Sequence, residues 1–177
     1  MDRDPEIIAE SGTIVAIQTV DDHFEAFWEI LKGHPGVVAD YLGYEPADCE
    51  SFAAEYIRRA QSSLTLFFDG TITMFGFLEH ITQGHSAYGV MVKRKGYPKG
   101  IQSMRCIISF IRERIFPWWF EKWRLEKLCG IVRENNTRAL RFDMAFGFRK
   151  DGILRHHEKV NEVWTDSILI SLLREEL

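Results

Sequence analysis

The chain has 177 residues, enough for one domain with its own core, and 46% of them are hydrophobic, which excludes a disordered chain. A formal charge of −4 argues against a protein devoted to nucleic acid. Cys49, Cys106 and Cys129 form neither a disulfide framework nor a metal-ligand spacing, so reduced, mostly buried thiols and no metal site are expected.

Met1–Glu10 is acidic and lacks the apolar stretch of a secretory signal, and no apolar run reaches membrane-spanning length. A cytoplasmic setting without membrane or nucleic-acid partners is therefore expected. Thr13–Val20, β-branched and apolar, reads as the first strand. Asp21 and Asp22 offer caps for a helix in which Phe24, Phe27, Trp28 and Leu31 keep helical spacing, with Gly33 and Pro35 as its stop. Beyond Gly43–Pro46 a second helix starts near Asp48 and turns Phe52, Tyr56 and Ile57 inward.

Asp69-Gly70 between Ser63–Phe68 and Thr71–His80 is a strong hairpin signal, and Ala87–Val92 extends the pair into an antiparallel meander. Lys93, Arg94, Lys95 and Lys99 then crowd one short loop of an acidic chain, which suggests a local anion site. The loop opens a long helix with Ile101, Met104, Ile107, Ile108, Ile111 and Ile115 as one apolar stripe. Pro117 lacks an N–H and clashes with the preceding turn, so a kink or break is expected there. Five aromatics in 116–123 exceed what one helix face buries; packing takes about three of them, leaving the rest for a homodimer contact or an acceptor-peptide surface.

Leu128–Val132 is the next strand, followed by a helix over 136–146 with an asparagine cap and Gly147 as its stop. Ile153–Val160 and Val163–Leu173 close the chain as a hairpin around Asn161-Glu162. The order β-α-α-β-β-β-α-β-α-β-β describes a single mixed α/β (α+β) domain over residues 1–177, with about seven strands and helices on both faces.

The run Arg133–Phe148, with Asn136 and Ala139 on one turn, Phe142 and Phe146 four apart and Gly147-Phe148 at the end, resembles the C-terminal half of the GNAT N-acetyltransferases. The closest likeness is to the subgroup that acetylates the amino termini of ribosomal proteins. The resemblance implies a GNAT fold, mostly antiparallel with one splayed parallel pair, 87–92 beside 128–132. It also implies acetyl-CoA as cosubstrate and an amine-bearing acceptor: a protein N-terminus, a lysine or a small amine.

Residue roles follow from the same resemblance. Lys95-Gly96-Tyr97-Pro98-Lys99-Gly100, leading into Ile101, matches the diphosphate loop, with Lys95 for the usual Arg or Gln and Pro98 where the first glycine belongs. Unpaired N–H groups at a helix N-terminus suit that task physically. Asn136 is implied as the pantetheine anchor, selected over Asn135 by its distance to Gly147, and a backbone N–H near Met91 or Val92 as the oxyanion donor. Where many relatives carry a proton-donating tyrosine, seven residues past the asparagine, this chain has Asp143, which reads as a surface residue facing Arg138 or Arg149.

For the chemistry itself, Glu79, His80 and His85 are the candidate bases, with Glu79 preferred, and Tyr88 is a candidate donor to the leaving thiolate. Strand alternation sets Glu79 and His80 on opposite faces. It also makes His156 and His157 poor partners for one metal. Asp166, with Trp164 and Ser167 around it, reads as structural or substrate-lining. The alternative to an enzyme is a GNAT-fold module that binds CoA or a protein without catalysis, favoured by Pro98 and the missing tyrosine. A weaker third reading is a protein that dimerises through 116–123.

Overall fold

The computed structural model describes residues 6–32, 47–160 and 162–177, apart from the side chains of 56–59 and 160. The expectations for Gly33, Pro35, the 43–46 loop, the Tyr56 and Ile57 side chains and Asn161 lie outside the described residues. The described strands are ordered β1-β2-β3-β4-β5-β6-β8-β7, with neighbours hydrogen-bonded. They are Ile7–Ser11, Ile14–Gln18, Ser62–Phe68, Thr71–Thr82, Ser86–Lys93, Lys127–Arg133, Arg149–Val160 and Val163–Leu173. The helices are α1 (Phe24–Lys32), α2 (Cys49–Arg59), α3 (Ile101–Phe110), α4 (Phe116–Trp123) and α5 (Thr137–Ala145). The result is a mixed, mostly antiparallel α/β fold with one parallel pair, β5–β6.

By its contacts the chain divides into two compact units, Met1–Glu79 with Val90–Ile107 and His80–Gly89 with Ile108–Leu177. In the first, β1 to β3 run antiparallel and β3 pairs antiparallel with β4. The continuous apolar run of β4 is explained by burial on both faces, from Thr73 through Leu78. Phe75 and Phe77 meet Phe24, Phe27, Ile30 and Leu31 of α1, Phe52 of α2 and Val92 of β5. Phe27 stacks on Phe75 with ring centroids 4.1 Å apart and meets Phe52 edge-on at 5.1 Å.

Strand β1 is an addition to the expected order. Ile7 and Ile8 lie inside an acidic N-terminal stretch that hides the strand pattern, and Gly12 supplies a positive-φ turn between two short strands. The start of α1 also differs from expectation. Neither Asp21 nor Asp22 caps it; a short 3-10 turn, Asp21–His23, precedes it, and His23 Nδ1 accepts from the Val20 N–H at 3.4 Å. Buried His23 also accepts from Thr65 Oγ1 at 2.8 Å, and Thr65 in turn accepts from Thr19 at 3.1 Å. Both contacts need a lone pair on Nδ1, so the ring proton sits on Nε2.

In the second unit β6 pairs antiparallel with β8 along its whole length, and β8 with β7. Phe116, Trp119 and Phe120 of α4 are fully buried, and Phe116 touches Trp119, Phe146 and Phe148. Trp118 and Trp123 stay partly exposed, with Lys122 Nζ 4.5 Å from the Trp118 ring. Pro117 produces no break: the helix runs on from α3 into α4 through a π turn, Ile111–Ile115. The wider turn accommodates a residue that has no N–H to give and whose ring would crowd the preceding turn.

Two expectations about burial fail locally. Ile101 is 72% exposed at the start of α3, whereas Ile107, Ile111 and Ile115 of the same stripe are buried. Among the cysteines only Cys129 is buried; Cys106 is exposed and Cys49 intermediate, and all three are free thiols. Among the described residues no helix is long and apolar enough to cross a membrane, and no cluster suits a metal ion.

Candidate functional site

In the first unit the chain leaves β5 at Lys93 and turns through 94–100 into α3. The loop is tied down from inside. Lys93 Nζ donates to the carbonyls of Arg94 and Tyr97, each at 2.8 Å, and Arg94 Nε donates to the Ile72 carbonyl at 2.9 Å. Tyr97 donates its hydroxyl to the Phe68 carbonyl at 3.0 Å, and Pro98 is buried. Of the four cations expected to form an anion site, two therefore brace the loop, leaving Lys95 and Lys99 exposed on its outer side.

Gly96 and Gly100 hold φ of +73° and +89°, and a Cβ on either would meet no atom within 4 Å. Both positions thus require glycine's backbone freedom and face open space. The Gly100 carbonyl accepts from the Met104 N–H at 3.4 Å, so Gly100 begins the helix and the N–H groups of its first turn have no intrahelical acceptor. The macrodipole adds partial positive charge at that end. Met91 is half-buried, while the Val92 side chain packs in the core, so Val92 has its backbone to offer a ligand. Half-buried Glu79 ends this unit's share of β4.

In the second unit the parallel ladder is three pairs long: Ser86↔Lys127, Ala87↔Leu128 and Tyr88↔Cys129. Strand β6 continues beyond Cys129 as far as Arg133, paired there with β8. His80 and Tyr88 meet edge-on at the ladder's end, with ring centroids 6.3 Å apart. His80 holds φ of +49°, so the strict alternation that set it opposite Glu79 is interrupted at that residue. His85 lies at the other end of the ladder, beside Ser86, with Nδ1 2.9 Å from its hydroxyl.

Asn136, not Asn135, caps α5: its Oδ1 accepts from the Ala139 N–H at 3.1 Å. That bond commits the Ala139 N–H and leaves the exposed Asn136 side-chain amide with its two donors. Gly147, at φ +97°, closes the helix, its N–H donating to the Met144 carbonyl at 3.0 Å. Asp143 departs from expectation. It is half-buried and pairs with neither arginine proposed for it among the described residues; Arg149 instead meets Glu176 at 2.8 Å. Burial pushes the Asp143 carboxyl up to about 7, so near neutrality it is divided between acid and carboxylate.

A polar network that local sequence patterning does not foretell stands at the C-terminal end of β6. Arg133 Nε donates to Glu158 Oε2 at 2.6 Å, Ser167 Oγ donates to Glu158 Oε1 at 3.3 Å, and His157 Nδ1 lies 3.1 Å from Ser167 Oγ. Asp166 Oδ1 accepts from the His156 N–H at 2.8 Å, and the His156 ring stacks on Trp164. The pairing spans 25 residues between Arg133 and Glu158, a separation that local patterning does not report.

No family model matches this sequence, and no curated protein matches it. The fold does have counterparts. The chain is similar to spermidine N-acetyltransferase from Vibrio cholerae, solved with CoA and spermine, at 15% identity and a TM-score of 0.73, over 93% of this chain and 97% of that one. It is similar to ribosomal-protein-S5-alanine acetyltransferase from Vibrio fischeri at 15% identity and a TM-score of 0.68, over 95% and 97% of the two chains. RimJ from Mycobacterium smegmatis, in complex with CoA-disulfide, matches at 18% identity and a TM-score of 0.68, over 98% and 87%.

Proposed function

We propose, from the GNAT fold that this chain shares with those acetyltransferases, that it moves an acetyl group from acetyl-CoA to a primary amine. The observation that carries the reading is the loop into α3, where Gly96 and Gly100 hold positive φ and face open space beside the exposed Lys95 and Lys99. A pantetheine arm can pair with a strand edge as an added strand, and in this reading it does so along β6.

In this reading the diphosphate lies on the loop Lys95-Gly96-Tyr97-Pro98-Lys99-Gly100 and the start of α3 at Ile101. First-turn N–H groups and the two exposed lysines would meet its charge. The buried Pro98 ring and the Tyr97 hydroxyl shape the loop, so their part is support. The Asn136 amide donates to pantetheine while its oxygen keeps the cap, and Ala139 lines that turn. A backbone N–H of Met91 or Val92 stabilises the oxyanion.

Tyr88 is the proposed donor to the departing thiolate. Glu79 and His80 are the acceptor-side polar residues. The acceptor class is a protein N-terminus, a lysine or a small polyamine, and the cytoplasm is the proposed setting.

The test is incubation with acetyl-CoA and three probes: spermidine, lysine methyl ester and an unblocked alanyl peptide. Acetylated product is read by mass spectrometry and coenzyme A binding by calorimetry. Product on any probe supports the enzyme. Saturable coenzyme A binding without product on any of them would instead make the chain a binding module.

A further inference from the structure

We propose that His157 is the general base of the transfer, accepting the proton of the acceptor ammonium on Nε2, while Ser167, Glu158 and Arg133 position its ring. The inference rests on the acetyltransferase reading and adds a reacting group to it.

The first observation is a distortion of β7. Between the pairs Leu154↔Ser167 and Glu158↔Thr165, three residues, Arg155, His156 and His157, stand opposite the single residue Asp166. Such bulges re-aim side chains and are concentrated beside functional sites. His156 takes φ of +48°, uncommon for a residue with a Cβ, and Asp166 holds it there through the His156 N–H at 2.8 Å. Ordinary alternation from His156 to His157 is thereby lost, and the His157 ring comes to Ser167, which is fully buried.

The second observation fixes the tautomer. Ser167 has one hydroxyl hydrogen and gives it to Glu158 Oε1 at 3.3 Å, so toward His157 its oxygen can act only as acceptor. His157 Nδ1 lies 3.1 Å from that oxygen and 3.4 Å from Glu158 Oε1. Both neighbours are acceptors, so Nδ1 carries the hydrogen and the neutral ring presents its lone pair on Nε2. Glu158 cannot swing away, because Arg133 holds its other oxygen at 2.6 Å. A carboxylate that orients an imidazole in this way prepares a base.

The third observation is position. Arg133 is the last residue of β6 and pairs with Ser167, four residues beyond Cys129, which pairs with Tyr88 of β5. Asn136 follows three residues later as the cap of α5. The network therefore stands at the end of β6 that the proposed thioester arm occupies. The His157 side chain is 35% exposed, open enough for an amine to reach.

In the step itself, the ammonium N–H bond breaks and its proton passes to Nε2 and then to solvent. The freed amine lone pair forms the C–N bond to the thioester carbonyl. As the tetrahedral adduct collapses, the C–S bond breaks, the sulfur takes that electron pair, and the second amine proton ends on sulfur.

His157→Gln and His157→Ala, assayed with acetyl-CoA and the three probes, test this. The expected result is a kcat about 10²–10⁴-fold lower, coenzyme A affinity within about twofold of wild type, and partial recovery of the His157→Ala rate by added imidazole. Glu158→Gln should lower kcat less, with KM unchanged. Wild-type rates in both His157 variants would overturn the proposal and leave the acetyltransferase reading intact. Loss of coenzyme A binding together with activity would make the residue structural and overturn it as well. A wild-type chain that neither binds coenzyme A nor acetylates any probe would overturn both readings.

Discussion

Tyr88 on β5 and Cys129 on β6 form the third residue pair of the second unit's parallel ladder, after Ser86↔Lys127 and Ala87↔Leu128. The His80 ring meets Tyr88 edge-on at that point, with centroids 6.3 Å apart. Backbone N–H and C=O groups along a strand edge are obligatory hydrogen-bonding groups, which a bound molecule can satisfy.

Gly100 is the position where one substitution should separate fold from binding. Its φ of +89° disfavours any side chain, and the space around it is open. Gly100→Glu should lower stability by about 1–2 kcal/mol through backbone strain. It should also reduce coenzyme A affinity by tenfold or more, roughly, by setting a carboxylate where phosphate charge is to be held. Thermal melting and calorimetry check the two effects separately, and unchanged affinity would remove the loop from the site.

Asn136 carries two roles that different substitutions divide. Asn136→Ala removes both the cap on the Ala139 N–H and the amide donors, so it should cost about 1 kcal/mol of stability and weaken coenzyme A binding. Asn136→Asp keeps an oxygen for the cap and loses the donors, so stability should hold while affinity falls about fivefold, the value of one hydrogen bond. Equal affinities in wild type and Asn136→Asp would confine the residue to capping.

Asp143 makes stability depend on pH in an unusual direction. Its carboxyl is raised from 3.8 to about 7 by burial. Below pH 3.8 the group is protonated in both states and contributes nothing; between 3.8 and 7 the folded state keeps a proton that the unfolded chain has lost. Its contribution therefore turns unfavourable as pH rises through that window and reaches its full cost above it. Asp143→Asn should melt higher than wild type at pH 8, by on the order of 2 kcal/mol, and the gap should shrink towards pH 5. A constant difference across that range would contradict the burial.

His23 acts with the opposite sign. Burial lowers its pKa below 6.5, outweighing the Asp22 charge that raises it. Above 6.5 the ring is neutral in both states; as pH falls, the unfolded chain takes up a proton first, so stability is lost progressively towards the folded pKa. Replacing His23 with glutamine should flatten the melting temperature between pH 6.5 and 5.

What the chain showed before folding was what neighbours along it decide. The Asp69-Gly70 hairpin, the Gly147 stop and the asparagine cap each depend on residues within one turn, and each is found where it was read. The π turn before Pro117 was not legible, because a proline states that a bond is missing and not how the helix will absorb the loss. Asp143 carries no sign of its surroundings, since its burial comes from packing that no short window contains. The bulge at Arg155–His157 was hidden for a similar reason: two adjacent histidines promise opposite faces until Asp166, ten residues on, holds one of them in a left-handed turn. The Arg133–Glu158 contact depends on β6 and β7 flanking the same strand, a matter of topology alone.

Calorimetric titration with coenzyme A, run on the wild-type chain beside Gly100→Glu, tests the central claim most directly. The account predicts one saturable site in the wild type and its loss in the variant, with both chains equally folded by circular dichroism. No heat from the wild type, or the same isotherm from both, would contradict it.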